Sequence, residues 1–167
     1  MANIAFVDDQ DNVIGAGTQE EARENGIRHR VSRIILVNSN GEVLLSRRAA
    51  HLSSNPGLWS VSAAGHVDEG ETYEYAALRE MEEEIGVKDV PLTEIGYFYS
   101  EGNSQNGAKQ FARIYKGIYD GEVHPNPEEV WEVKWVSRSE LDTLIAEKSA
   151  EFTGGGMRTL KFVRKLL

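Results

Sequence analysis

Residues 65–87 read Gly-His-Val-Asp-Glu-Gly-Glu-Thr-Tyr-Glu-Tyr-Ala-Ala-Leu-Arg-Glu-Met-Glu-Glu-Glu-Ile-Gly-Val, and no other stretch restricts the fold as much. In an α-helix each residue turns about 100°, so positions i, i+3 and i+4 share a face. A helix from about Thr72 to Ile85 therefore turns Glu80, Glu83 and Glu84 the same way. Ala77, Leu78, Met81 and Ile85 fall on a neighbouring arc suited to packing on a core. Carboxylates held side by side repel, and a helix carries them at low cost when a cation sits among them. Oxygen ligands select hard cations, so Mg²⁺ or Mn²⁺ is implied. Gly86 is a good residue to close such a helix. Taken alone, the glutamates also fit a solvated acidic face; the spacing of the whole segment favours the metal site.

The rest of the chain reads as strands with a few helices. Ile4 to Val7 and Val13-Ile14 flank a polar turn at residues 8–12. Thr18 with Glu21 has capping-box spacing and opens a short helix that stops near Gly26. Val31 to Val37 is a buried strand, and Val43 to Arg47 returns as its hairpin partner. Trp59 to Ala63 leads as a strand into Gly65. Ile95 to Tyr99 and Phe111 to Tyr119 are strands joined by a polar loop, Glu101 to Lys109, a candidate lid. Val130 to Val136 precedes a helix capped by Ser137 and running to about Lys148. Gly154-Gly155-Gly156 reads as a hinge or linker before a terminal amphipathic helix, Met157 to Leu166. Strands interleaved with two main helices suggest a mixed sheet between helical layers.

Read by its fixed positions, the opening segment is Gly65, five residues, Glu71, seven residues, Arg79-Glu80, Met81, one residue, Glu83-Glu84, one residue, Gly86 and Val87. Every fixed position of the Nudix box is filled, so the chain resembles that family. The resemblance implies a Nudix-type α/β/α sandwich with a mixed β-sheet, one domain over residues 1–167. Within it, 1–30 form an N-terminal extension, 31–148 the core with the box at 65–87, and 149–167 a C-terminal linker and helix. It also implies hydrolysis of a pyrophosphate bond in a nucleoside diphosphate linked to another group, or in a related diphosphate. Glu83 and Glu84 match the positions that most often hold Mg²⁺ or Mn²⁺, with Glu80 joining them or acting as a base. The Gly65 carbonyl matches a backbone ligand, and Glu71 with Arg79 match structural support of the box. A base outside the box is expected in a loop before a late strand. Of Glu128, Glu129 and Glu132, Glu129 fits best, because Val130 and Trp135-Val136 resemble the strand that follows. Arg47 and Arg48 close the hairpin strand and are candidate phosphate contacts, since guanidinium reads phosphate oxygens bidentately. Tyr97, Phe98, Tyr99, Phe111 and Tyr115 sit on strands, some suited to stacking on a base and most to core packing.

A second resemblance spans the N-terminal half. Val7-Asp8-Asp9, Asn12 to Gly15, Arg28-His29-Arg30, Leu44 to Arg48, Pro56-Gly57-Leu58-Trp59 and Gly65-His66 look like isopentenyl-diphosphate isomerase and its hydrolase-like relatives. The isomerase moves a double bond by proton transfer, with a cysteine just before the Gly-His pair and a histidine-rich metal site. Here Ala64 takes the cysteine position. His29 and His66 match two metal-binding histidines; the third falls near Ala22, and the later glutamates fall near Ala108 and Gln110. The isomerase also has a degenerate box, whereas this one is complete. Both sets of differences favour hydrolysis. The alternatives are an isomerase-like enzyme and a non-catalytic, nucleotide-binding regulatory domain, which would tend to lose box carboxylates.

Composition bounds the partners. With 167 residues the chain suits one domain with a substantial core. A net charge of −9 disfavours nucleic acid and anionic membrane surfaces as partners. It allows a small phosphorylated substrate, whose charge a metal neutralises locally. There are no cysteines, so disulfides, zinc-thiolate sites and a cysteine nucleophile are excluded. The N-terminus lacks a signal-peptide pattern and no apolar run approaches membrane-spanning length, so a cytoplasmic location is expected. Substrate identity and oligomeric state are not written in these residues.

Overall fold

The computed structural model describes residues 2–102 and 108–167. Most of the candidate lid at Glu101 to Lys109 therefore lies outside the described residues. The elements run β1 (Ile4–Val7), β2 (Val13–Gly17), α1 (Gln19–Asn25), β3 (His29–Val37), β4 (Val43–Arg48), β5 (Trp59–Ser60), β6 (Ala63–His66), α2 (Tyr73–Ile85), β7 (Thr93–Ser100), β8 (Gln110–Ile118), β9 (Val130–Val136), α3 (Arg138–Glu147) and α4 (Gly154–Val163). Among the described residues no helix is long and apolar enough to cross a membrane.

β3 is the hub of a mixed sheet. It pairs in parallel with β8 from His29↔Gln110 to Val37↔Ile118, and antiparallel with β6 from Val31↔His66 to Ile34↔Ala63. Period-2 alternation sends its side chains to two cores. Ile34 and Leu36 join Leu44, Ala76, Ala77, Met81 and Ile85 under α2. Val31, Ile35 and Val37 join Val43, Leu45, Leu141, Ile145, Met157 and Leu160 under α3 and α4. The result is the expected α/β/α sandwich. Thr18, Thr72 and Ser137 each cap a helix through the side-chain oxygen, as a non-helical residue with a free hydroxyl should.

Four expectations change. The hairpin is open: β3 and β4 pair only at Val37↔Val43. The fully buried Ser62 fills the gap, accepting from Leu36 N at 2.8 Å and donating to Leu44 O at 2.7 Å. Those are backbone groups that a closed hairpin would pair with each other. For the same reason Trp59 to Ala63 is two short strands, β5 and β6, rather than one. On α2 the packing arc is Tyr73, Ala76, Ala77, Met81 and Ile85; Leu78, one step past Ala77, is exposed. Finally, Gly154 to Gly156 are no linker but the first turn of α4, capped by Thr153. A Cβ on Gly155 would lie 2.5 Å from Arg33 Nη2 and one on Gly156 2.6 Å from Ser60 Oγ, so α4 docks only because these side chains are missing.

The N-terminal hairpin is tied to the start of α2. Asp11 accepts from the hydroxyls of Tyr73 and Tyr97, each at 2.7 Å, and from Arg30 Nε at 2.7 Å. Burial and that acceptor together raise the Tyr97 hydroxyl to about 12, so it stays a donor.

Candidate active site

The box helix and β6 build the site together. Glu80 and Glu84 are one turn apart on α2 and both face β6. Around the axis Glu84 lies about 40° from Glu80 towards the core and Glu83 about 60° the other way, towards solvent. Accordingly Glu84 Oε1 accepts from the Ala64 amide at 2.8 Å, whereas the Glu83 side chain is 50% exposed. A Cβ on Gly65 would lie 2.1 Å from Glu80 Cδ, so only glycine lets Glu80 lie against the strand.

A third carboxylate arrives from the loop before β9. His124 N donates to Ile85 O and Asn126 N to Glu84 O, both at 2.9 Å, so the loop docks on the open carbonyls at the end of α2. Gly86 allows this twice: its φ is +66°, and a Cβ there would press on His124 at 3.0 Å. Glu129 N then donates to Asn126 O, and Ala49 N to Glu129 O. The outcome is a group of Glu80, Glu84 and Glu129, each offering one oxygen within 4.8 Å of the others.

This group is electrostatically uncomfortable as it stands. Burial pushes the Glu80 carboxyl up to about 7, against the pull of Arg79. Burial, then Glu80, pushes Glu84 well above the usual carboxylate range. Burial also raises Glu129, whose Oε2 is buried with no hydrogen-bond partner among the described residues. Three shielded carboxylates, one of them with an orphaned oxygen, are the kind of oxygen donors a hard divalent cation takes, and the residues fit one. Glu83 stands outside the group and meets Arg79 Nη1 at 3.2 Å.

Arg79 is the support. Its Nε and Nη2 take both oxygens of Glu71, at 2.7 and 2.8 Å, while Nη1 reaches Glu80 at 2.8 Å and Nη2 the His66 carbonyl at 3.1 Å. Burial alone would raise Glu71, but the bonds from Arg79 and the Asp68 amide outweigh it and hold it below the usual range. Asp68 adds a further carboxylate at 3.4 Å from Arg79. The two candidate arginines separate. Arg48 lines a small cleft with Ser46, Ser60, Ala64, Glu84 and Glu129. Arg47 turns away, donating through Nε to Gly57 O at 2.8 Å and through Nη1 to Glu132 at 3.0 Å. A larger hollow of about 200 Å³, between Trp59, Lys134, Leu144 and Phe152, sits on the opposite face under α3 and lacks a convergent acid set.

The residues of the isomerase resemblance gather on that opposite face too. The His29 and His66 rings are 5.3 Å apart. Burial lowers His29, and burial, then His29 and Arg33, take His66 down to about 3, so both are neutral. His29 Nε2 lies 3.3 Å from Gln110 Nε2, and Gln110 Oε1 accepts from Arg33 Nη2 at 3.2 Å. The buried Arg33 guanidinium, also bonded to Thr159 at 3.0 Å, thus sits in this cluster as a fixed cation. Sequence reasoning did not single out Arg33; its signal is an arginine in an otherwise apolar strand.

Residues 27–154 match the NUDIX domain family. This chain belongs to the Nudix hydrolase family. Among its relatives are an uncharacterized Nudix hydrolase, PA4841, of Pseudomonas aeruginosa, 36% identical over 83% of this chain and 79% of that one. An isopentenyl-diphosphate Delta-isomerase of Nocardia farcinica is 34% identical over 90% of this chain and 87% of that one. Both branches of the sequence resemblance are therefore present among the relatives. In three dimensions the chain is similar to DR0079 from Deinococcus radiodurans, with a TM-score of 0.79, 26% identity and coverage of 95% of this chain and 97% of that one. The NUDIX domain of Shewanella oneidensis NrtR, solved with ADP-ribose, shares the fold at a TM-score of 0.65 and 18% identity, over 90% of this chain and 99% of that one.

Proposed function

We propose that this Nudix chain is a Mg²⁺- or Mn²⁺-dependent hydrolase that cleaves a pyrophosphate bond in a nucleoside diphosphate linked to another group, or in a related diphosphate. The observation that carries the reading is the convergence of Glu80, Glu84 and Glu129 within 4.8 Å. Glu80, Glu84 and the Gly65 carbonyl would hold the cation, with the half-exposed Glu83 as a further ligand at the rim. When bound, the cation neutralises phosphate charge and lowers the pKa of a bound water. Glu129 takes the proton of the attacking water; its raised pKa brings it closer to the working pH of a general base. Arg48 binds a phosphate oxygen from the wall of the cleft. Arg79 and Glu71 position Glu80 and take no part in bond making. ADP-ribose, the ligand named for the NrtR domain, heads the substrates to try.

The isomerase-named relatives favour a second reading, transfer of a proton in an isoprenoid diphosphate. Two features argue against it. Ala64 carries no proton to give or take, and Arg33 places a buried positive charge where that chemistry needs a cation site. The test is hydrolysis in ¹⁸O-water with Mg²⁺, across dinucleotides, nucleotide sugars, nucleoside triphosphates and isoprenoid diphosphates. Labelled phosphate products support the hydrolase; dimethylallyl diphosphate formed from isopentenyl diphosphate would replace it.

A further inference from the structure

Arg33 is a buried cation that the carboxylate site does not use. It projects from β3 beneath α4 and is only 7% exposed. A guanidinium this shielded is ordinarily paired with a carboxylate. Arg33 forms no ion pair among the described residues, and residues 103–107 carry no acid. Its hydrogen bonds go to neutral groups, Thr159 Oγ1 at 3.0 Å and Gln110 Oε1 at 3.2 Å, and its Nε meets no acceptor among the described residues. Glu151, the acid that precedes α4, lines the hollow under α3 instead. Burial, then Arg158, lowers Arg33 to about 10, so it is charged at neutral pH.

A neutral relay holds the guanidinium in place. His29 Nδ1 lies 3.0 Å from Ile27 O, so it carries the ring proton and leaves Nε2 as an acceptor. Gln110 Nε2 donates to that nitrogen at 3.3 Å, which turns Gln110 Oε1 towards Arg33. Each member satisfies the next and none brings a negative charge. Arg33 is therefore oriented but not compensated.

α4 adds to the positive potential. Gly155, Arg158 and Thr159 stand at i, i+3 and i+4, so they share the helix face laid against Arg33. A Cβ on Gly155 would lie 2.5 Å from Arg33 Nη2. Arg158, like Arg33, forms no ion pair among the described residues. In the first turn Gly156 N donates to Thr153 Oγ1 at 2.9 Å, whereas the amides of Gly154 and Gly155 meet no acceptor among the described residues. Two arginines and the positive end of a helix thus meet with no acid between them. The spot is open at its edge. Ala64, the register partner of Arg33, offers only a methyl, and Ala64, His66 and Gly155 are each partly exposed.

We propose that Arg33 and Arg158, with the amides of Gly154 and Gly155, form a phosphate-binding subsite on the sheet face opposite the carboxylates. A phosphate supplies the charge that the arginines lack and accepts from a guanidinium edge and from the helix start. Side chains at positions 154 and 155 would stand between an anion and those amides, and glycine removes them. The subsite is independent of the hydrolase reading, since it needs neither the cation nor Glu129.

The test follows the full chain in EDTA by amide NMR and thermal melts as inorganic phosphate is added, with chloride and acetate at matched ionic strength. Phosphate should shift the Gly154 and Gly155 amides and the Arg33 Nε–H along one saturable curve and raise the melting point. Chloride and acetate should do neither to a comparable extent. Arg33→Met removes the buried charge, so it should melt higher than wild type without phosphate and gain nothing when phosphate is added. Arg158→Gln changes a partly exposed side chain and should weaken phosphate about tenfold, as loss of a charge-assisted bond does. Arg48→Gln, in the carboxylate cleft, should leave the response at α4 as in wild type. Ribose 5-phosphate in the same titration separates two sources: binding at least as tight as phosphate assigns a phosphorylated ligand, and weaker binding assigns the free ion. No saturable shift at Gly154 and Gly155, an equal response to chloride or acetate, or a phosphate response lost in Arg48→Gln would each overturn the subsite. So would a phosphate response kept in Arg33→Met, or, should that variant fail to fold, undiminished affinity in Arg158→Gln. Diphosphate hydrolysis by a chain whose α4 ignores phosphate would remove the subsite and leave the hydrolase reading standing.

Discussion

Replacing Arg79 with methionine should unfasten the site without touching a metal ligand. Arg79 is 22% exposed in its side chain and Glu71 only 11%, so the pair is largely shielded from water. Both guanidinium edges are used, on Glu71, Glu80 and the His66 carbonyl. Removing the cation leaves Glu71 as an uncompensated, shielded charge, which costs about 3 kcal/mol. In a chain of this size, 1 kcal/mol moves the melting point by about 2–4 °C, so a fall of roughly 6–12 °C is expected. Arg79→Lys should recover less than half, because an ammonium cannot fork across two oxygens. A double-mutant cycle with Glu71→Gln isolates the pair. If the account is right, Glu71→Gln in the Arg79→Met background costs little or stabilises, with a coupling of about 2–3 kcal/mol. Urea melts at pH 8 with EDTA measure all four proteins. Turnover should fall with stability, because Glu80 and the loop at Asp68 lose their anchor. An unchanged melt with abolished turnover would refute this reasoning and make Arg79 a direct participant.

Glu80→Gln should stabilise the metal-free protein by about 3 kcal/mol at pH 8 and by about 1 kcal/mol at pH 5. The folded Glu80 carboxyl is raised to about 7, so its proton-linked stability is complete below pH 4.5 and lost as pH rises through 7; equal effects at both pH values would refute it. Glu84→Gln and Glu83→Gln should each lower kcat about a hundredfold or more, and a single near-wild-type enzyme would remove that residue from the ligand set. Incubation with isopentenyl diphosphate and Mg²⁺ in deuterated water should yield no deuterated dimethylallyl diphosphate by NMR, and turnover with incorporated deuterium would reverse the assignment.

The box helix was readable because its logic is local. Thr72, the 3.6-residue period and Gly86 lie within one segment, and all three behave as their chemistry dictates. The split of Glu83 from Glu80 and Glu84 was readable in principle, since rotation about the axis fixes it. What the sequence hid depends on partners distant along the chain. Gly154 to Gly156 look like a linker until Arg33 and Ser60 are known to lie against them. The strand from Trp59 breaks because Ser62 is needed between β3 and β4. Glu129 is preferred to Glu128 and Glu132 for the strand that follows it, but what holds its loop against α2, the docking of Asn126 on the Glu84 carbonyl, is a backbone bond with no sequence signature.

The central claim is that Glu80 and Glu84 hold a divalent cation beside Glu129, the base, and that the group serves hydrolysis. Mn²⁺ binding followed by electron paramagnetic resonance tests it directly, in wild type and in Glu84→Gln and Glu129→Gln, alongside ADP-ribose turnover in the same samples. Wild type should bind Mn²⁺ with ADP-ribose or its products present, Glu84→Gln should lose affinity and turnover together, and Glu129→Gln should lose turnover while keeping most of the affinity. Mn²⁺ bound as tightly by Glu84→Gln as by wild type, or undiminished turnover in Glu129→Gln, would contradict the account.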